Sequence, residues 1–332
     1  MMRVFQTATW RKLQWPLLAL ALVLLFNFAF TKDFFEITVR DGRLYGSVVD
    51  IFNRAAPVML LALGMTLVIA TGGVDLSVGA VMAIAGAVAA LLVTKAGLSV
   101  GAIIAAALGV ALVAGIWNGI LVGWLEVPPI VATLILMVSG RGIAQLLTDG
   151  QIITFQNRAL EFIGRGSLLG LPFAITLVLI VFLIVIFLQT KTAAGLFIES
   201  TGDNEAASRY AGVNTRAVKL MVYAFCALCA GLAGLVVTTN IAAADSNKAG
   251  LWLELDAILA TVIGGTALTG GRFYPLGSIV GAILIQTLTT SILTRGVPIE
   301  YTLVVKAVVI FAVCLVQSED FRKVIWRRKV AA

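Results

Sequence analysis

The chain alternates long apolar runs with short polar joints. A helix that crosses the hydrocarbon of a bilayer needs about 20 mostly apolar residues, with a range of about 17–25. Ten segments meet or approach that length: 15–31, 55–71, 75–94, 98–125, 128–147, 172–189, 219–241, 253–268, 275–293 and 302–318. In lipid every backbone polar group must be satisfied within the protein, and a helix does this by itself. The pattern therefore predicts an all-α integral membrane protein of about ten transmembrane helices.

Cations near the span ends predict the orientation. The first twelve residues hold Arg3, Arg11 and Lys12 and no acid; the tail holds Arg322, Lys323, Arg327, Arg328 and Lys329. Both termini are expected in the cytoplasm, with Lys191, Arg209 and Arg216 on the same side. Lys32, Arg40, Arg43, Arg158 and Arg165 fall on the other side, so the two termini carry the orientation. The expected division is a cytoplasmic segment 1–14, a transmembrane domain 15–318 with a cytoplasmic loop at 190–218, and a cytoplasmic basic tail 319–332. The first apolar run has a signal-like flank, but no A-x-A site follows Phe30, so it reads as a retained helix. Ten spans with an inside start also allow an inverted repeat of spans 2–5 and 7–10, as in many transporters. A faint echo joins Gly72-Gly73 to Gly264-Gly265.

Composition narrows the chemistry. Of 332 residues, 60% are hydrophobic and 12% charged, against about 25% charged in a soluble domain. The net charge of +7 would suit nucleic acid, but the apolar runs point to the lipid bilayer instead and to no nucleic-acid partner. The chain has no His, so it has no histidine base, relay or metal ligand. It contains no G-x-x-x-x-G-K-[ST], H-E-x-x-H or G-x-S-x-G, hence no P-loop, zincin or esterase site. No catalytic residue, metal site or cofactor is expected. If ATP energises this protein, another chain must hydrolyse it. Cys226 and Cys229 lie one turn apart in an apolar run and read as small packing residues rather than a redox pair.

Three polar segments stand out. The first is Gly202 to Asn214. Asp203 or Asn204 suits an N-cap, Gly212 suits a left-handed stop, and Asn214 or Thr215 can cap the next span. The short helix between them cannot stand alone in water. A docking helix for a cytoplasmic partner and a plain connector both fit. The second is Thr71-Gly-Gly-Val-Asp-Leu-Ser-Val-Gly79, where Gly72 and Gly73 break the helix ahead of Asp75. A membrane carboxylate faces protein or a water-filled path; alternatively Asp75 caps the third span with Ser77 assisting. The third holds Glu254, Asp256 and the glycines from Gly264 to Gly271, with Arg272 at the opposite end of the eighth span and Lys306 in the last one. Glu254 and Asp256 are expected to enter the eighth span from the outer side; Asp256 suits a substrate contact, a helix-pairing contact or interfacial placement with a favourable helix-dipole interaction. Asn118, Thr133 and Gln286 are among the polar residues within spans that could line a path for a hydroxylated solute or bond between helices. Mid-membrane acids do not form a chain, which argues against proton coupling.

These residues resemble the permease subunits of ABC sugar importers of the ribose, xylose and galactose group, a branch of the branched-chain amino-acid permease superfamily. The resemblance runs from about Asn53 to Val316. It is carried by Thr71 to Gly79, Pro129-Ile-Val-Ala-Thr-Leu134, Gly202 to Asn214, Glu254-Leu-Asp-Ala-Ile-Leu-Ala260, Ile263-Gly-Gly265 and Gly270-Gly271. Asp41 to Ser47, Asn53 to Pro57 and Gly250-Leu-Trp-Leu-Glu254 are most similar to permeases of galactofuranose importers. The resemblance implies a ten-helix inner-membrane subunit working with a second permease chain, identical or homologous, a cytoplasmic ATPase and a periplasmic sugar-binding protein. It also implies that Asn204, Glu205, Ala206, Ala207, Arg209 and Gly212 belong to a helix that docks on the ATPase. Gly72, Gly73, Asp75, Asn118, Thr133, Asp256 and Gln286 are the candidates for the pathway or its gate.

Overall fold

A computed structural model describes residues 2–40 and 42–317, with the side chains of residues up to 12, of residue 40 and of residues 299, 300, 302, 309, 310, 313, 314, 316 and 317 undescribed. In chain order the elements are α1 (Met2–Phe30), β1 (Thr38–Arg40), β2 (Arg43–Tyr45), α2 (Ser47–Ala70), α3 (Val78–Lys95), α4 (Val100–Gly123) and α5 (Pro129–Leu147). Then come β3 (Ile153–Thr154), α6 (Arg158–Arg165), β4 (Ser167–Leu168), β5 (Leu171–Pro172), α7 (Phe173–Lys191), α8 (Ala193–Asp203) and α9 (Glu205–Tyr210). The last are α10 (Thr215–Ile241), β6 (Ala243–Ala244), α11 (Leu253–Ile263), α12 (Pro275–Thr294) and α13 (Ile299–Gln317).

Among the described residues eight helices are long and apolar enough to cross a membrane: α1 from Leu13, α2, α3, α4, α5, α7, α10 and α12. The run at 253–268 behaves differently. Its helix α11 has 11 residues, which at about 1.5 Å per residue reaches only about half of a 30 Å core. Gly264 and Gly265 end it early. The segment expected to precede the first span is already helical from Met2 and continuous with it. The basic tail 319–332 lies outside the described residues.

Among the described residues six strands pair as three short antiparallel ribbons, β1 with β2, β3 with β6 and β4 with β5. Each holds two or three residues per strand, too few to show a period of two, so an all-α reading passes over them. They gather at one end of the bundle. Leu44 N donates to Gly170 O at 3.0 Å, which ties the first ribbon to the third. The opposite end carries α8 and α9.

The centre of the bundle is α2, buried from Ala55 to Ala70 without interruption, and the inner face of α10, which packs most extensively on α4, α2 and α3. Small residues permit this approach. A Cβ added to Gly64 would lie 2.8 Å from Cys226 Cα and 3.2 Å from Cys229 Cβ. The two cysteines are thus free thiols packed on α2, as their spacing suggests, and no cluster of metal ligands occurs among the described residues.

The depth of two helix starts follows from glycine contacts. Gly234 of α10 faces Met82 of α3, and Gly86 of α3 faces Thr238 of α10. The equal steps mean that α3 and α10 run side by side in the same direction. Gly79 is therefore level with residue 231, about ten residues or roughly 15 Å below the ribbon end of α10. Gly79 packs directly on Gly250, three residues before α11. So α3 and α11 both begin near mid-depth, and they leave it in opposite directions. α3 rises with α10 toward the ribbons. α11 descends to Gly264, and the following loop donates Gly271 N to Ala70 O at 2.9 Å, at the α9 end of α2.

This corrects the expected echo. Gly72-Gly73 and the Gly264–Gly271 loop lie at the same end and touch, so they are not images of each other in an inverted repeat. The break that faces 71–77 is 242–252, which joins α10 to α11. It also corrects the placement of Glu254 and Asp256, which start a helix at mid-depth and not at a membrane surface.

Candidate functional site

The loop end is built around α9. Asn204 caps it, its Oδ1 accepting from Ala207 N at 2.9 Å. Gly212 stops it in the left-handed region, with φ 88° and its N–H on Arg209 O at 3.0 Å. Asn214 then caps α10 by accepting from Ala217 N at 3.1 Å. The two caps and the stop fall where the residue types suggest.

Charge holds this short helix to the body. Glu205 accepts from Arg209 and from Lys219 Nζ, each at 2.8 Å, and from Thr215 Oγ1 at 3.2 Å. Arg209 also donates from Nε to Thr215 at 2.8 Å and reaches Glu126, in the α4–α5 joint, at 3.3 Å. Partial burial raises the Glu205 pKa, but the hydrogen bonds and charges of Lys219 and Arg209 outweigh it and hold the carboxyl below its ordinary value. Arg209 is correspondingly held above its own, chiefly by its hydrogen bond to Glu205. Ala206 and Ala207 are exposed, and Tyr210 is 94% exposed at the tip. Just behind, Gly202 packs against Ala70 O and Gly271 N, so α8 rests on both glycine joints at once.

The second group lies at the break between α2 and α3. Asp75 is buried, and its Oδ1 accepts from Ser77 N at 2.9 Å and Ser77 Oγ at 2.6 Å, an Asx turn that shapes the start of α3. Asn118 of α4, also buried, donates to Ser77 Oγ at 2.9 Å and to Asp75 Oδ1 at 3.5 Å. Thr133 of α5 bonds Pro129 O at 2.9 Å and reaches Val74 O at 3.4 Å. The Tyr223 hydroxyl is set against the face of Gly73, where a Cβ would come within 2.6 Å. The fold thus unites Gly72, Gly73, Asp75, Asn118 and Thr133. It seals Gly73, Asp75, Asn118 and Thr133 inside protein and leaves Gly72 exposed at their edge, so Asp75 shapes a buried joint and does not cap a helix at a surface.

Two candidates stand apart. Asp256 of α11 pairs with Lys306 of α13 at 3.0 Å, both side chains largely buried. Gln286 of α12 bonds Thr290 on its own helix at 3.3 Å. Sequence reasoning missed Glu126, Thr215 and Lys219 as partners of α9. Only the Glu205–Arg209 spacing of four was visible in the chain; the others are 83, 10 and 14 residues away from their partners. It also missed Tyr223, and Arg141, whose guanidinium holds the 242–252 break through Ser246 O at 3.2 Å and Ala249 O at 2.5 Å.

Residues 47–314 match the family described as branched-chain amino acid transport system / permease component. The galactofuranose transporter permease protein YtfT of Escherichia coli (strain K12) is 53% identical over 316 residues, 94% of this chain and 92% of that protein. The fructose import permease protein FruF of Bifidobacterium longum (strain NCC 2705) is 39% identical, over 92% of this chain and 87% of its own. The ribose import permease protein RbsC of Escherichia coli (strain K12) is 36% identical, over 96% and 97%. No solved structure matches the chain. Glycine-broken membrane helices, a rigidly held helix at one end, and a match along nearly the whole chain lead to one conclusion: the chain belongs to this family of ABC importer permeases, and is an inner-membrane transport subunit rather than an enzyme.

Proposed function

We propose that the chain carries a monosaccharide, galactofuranose or a close relative, across the inner membrane by alternating access driven by a partner ATPase. The observation that carries this is the 53% identity to a galactofuranose transporter permease along 94% of the chain. The other relatives named for fructose and ribose support a sugar over an amino acid. In this reading the chain has ten spans, counting the α11 run and α13, with both termini and α9 in the cytoplasm. It pairs with a second permease chain, identical or homologous, and receives sugar from a periplasmic binding protein on the ribbon side.

The segment Asn204, Glu205, Ala206, Ala207, Arg209 and Gly212 docks on the ATPase. Its ion pairs with Glu126 and Lys219 support that role, because force applied to α9 passes at once to α10 and to the α4–α5 joint. Gly202, resting on Ala70 and Gly271, passes it on to both glycine joints. Gly72, Gly73, Asp75, Asn118 and Thr133 then form the hinge of the gate, while Asp256 and Gln286 flank the path.

The test is uptake into proteoliposomes that hold this chain, its partner permease and the ATPase, with the binding protein added. ATP-dependent uptake of labelled D-galactose, D-ribose or D-fructose, without uptake of L-leucine, is the expected result. ATP-dependent leucine uptake, or sugar uptake driven by a proton gradient without ATP, would overturn the reading.

A further inference from the structure

Trp252 is out of place by two independent measures. Its backbone lies in the left-handed region, φ 67° and ψ 0°, immediately before α11. That region is sparsely used by any side chain other than Asn or Asp, and a bulky aromatic residue there is an outlier. Such a conformation is strained and persists where the surroundings enforce it, commonly at functional sites. The residue is nonetheless 54% exposed, with Leu251 and Leu255 exposed beside it. A residue that is both strained and exposed does not owe its place to core packing.

The location decides what the ring faces. Trp252 is two residues from Gly250, which packs on Gly79 near mid-depth, as derived above. The backbone from 245 to 252 is not helical. Irregular backbone at membrane depth does not meet lipid; it is buried in protein or lines a water-filled cavity. One side of this segment is buried, through Ser246 and Gly250, and is held by Arg141. The Trp252 side is open. A tryptophan that anchors to lipid sits at the headgroup level, not at mid-depth. The open side therefore faces an aqueous path or the second permease chain that the proposed pairing sets across that path.

We infer that Trp252 is a substrate-contacting residue of the translocation path, its indole stacking on the apolar face of a sugar ring at the point where α3 and α11 begin. The inference rests on the sugar-permease reading above and adds a residue that it does not contain. The chemistry suits the class. A monosaccharide presents C–H groups on one ring face and hydroxyls around its edge, and pockets commonly combine an aromatic surface with a few polar groups. The left-handed turn serves to project the ring into the path instead of back along α11.

The experiment uses the complete importer in proteoliposomes with labelled D-galactose, D-ribose and D-fructose. Trp252→Phe keeps an aromatic face and Trp252→Leu does not, while both carry the same backbone strain. Trp252→Gly removes the ring and relieves the strain. The expected result is at least a tenfold loss of uptake for Leu and Gly and less than a threefold loss for Phe. Assembly with the second permease and the ATPase, and basal ATP hydrolysis, stay as in the wild type. Equal uptake by Phe and Leu, wild-type uptake by Gly, or loss of permease pairing in place of transport would each overturn the assignment. A wild-type importer that moves leucine and none of the sugars would overturn the sugar reading, and this inference with it.

Discussion

Lys306 of α13 sets its ammonium 3.0 Å from the Asp256 carboxylate of α11, and both side chains are at least 85% buried at 13% and 15% exposure. The pair pins α13 to the short helix that begins at mid-depth. It also gives Asp256 a partner, which a carboxylate inside a membrane protein requires.

Removing one member leaves the other buried and unpaired, at a cost of about 3–5 kcal/mol. We expect Lys306→Met alone to lower the thermal midpoint of the detergent-solubilised protein clearly, and Lys306→Met with Asp256→Asn to recover most of it. Cys226 and Cys229, buried in the fold, provide the readout through a thiol-reactive dye on heating. A double variant no more stable than the single one would show that the pair is not the source of the loss.

Glu205→Arg places a cation beside Lys219 and Arg209 and removes three acceptor contacts of α9. The expected outcome is a weakened complex with the ATPase and uptake reduced at least tenfold, measured by co-purification and proteoliposome transport. Exchanging Glu205 with Arg209 restores the pair along the helix but sets the new Arg against Lys219 and the new Glu against Glu126. That exchange should stay impaired. Full recovery would mean that only the local pair matters.

The order of α9 should depend on pH in one direction. Glu205 is held below its ordinary pKa in the fold, so its contribution is present at neutral pH. It is lost as pH falls through the depressed value, below the usual glutamate range. Hydrogen exchange of the amides from Ala207 to Gly212 should therefore lose protection under acid and not between pH 6 and 8. Loss of protection in the neutral range would contradict the assignment of Glu205 as the organising group.

At the α2–α3 joint, Asp75→Asn keeps an oxygen that accepts from Ser77 N and Oγ, whereas Asp75→Ala leaves two donors without it. An unmet buried hydrogen bond costs about 1–3 kcal/mol. We expect Asn to keep folding and at least a third of uptake, and Ala to lose both stability and uptake. Comparable damage by the two would indicate that charge at Asp75, rather than the turn, is what matters.

Cys226→Ala with Cys229→Ala should leave uptake within about twofold of the wild type, with or without reductant or chelator. Both sulfurs only pack on α2. A reductant-sensitive wild type with an insensitive double variant would restore the redox reading.

Much of this was legible in the residues. The caps Asn204 and Asn214 and the stop Gly212 act within four residues of themselves, so their side chains announce them. The Glu205–Arg209 pair follows from helical spacing. The partners Glu126 and Lys219 do not, because nothing local tells a surface charge which distant charge it will meet. The joint at Gly72-Gly73 was visible as a break. That it packs beneath Asn118, Thr133 and Tyr223 was not, since those residues belong to three other helices. The depth of Trp252 was hidden in the same way: only the Gly79–Gly250 contact places it.

The sequence by itself determined the medium and the class. Hydropathy is a sum over neighbours in the chain, so long apolar runs declare a membrane protein, and short motifs in order declare its relatives. Tertiary structure alone decided which breaks meet. It turned the eighth apolar run into a half-helix, paired Asp256 with Lys306, and set the α3 and α11 starts against each other at mid-depth. Those outcomes depend on contacts between residues far apart in the chain, 50 positions for Asp256 and Lys306 and more than a hundred for Gly79 and Gly250, and on glycines whose function is visible only when another backbone lies against them.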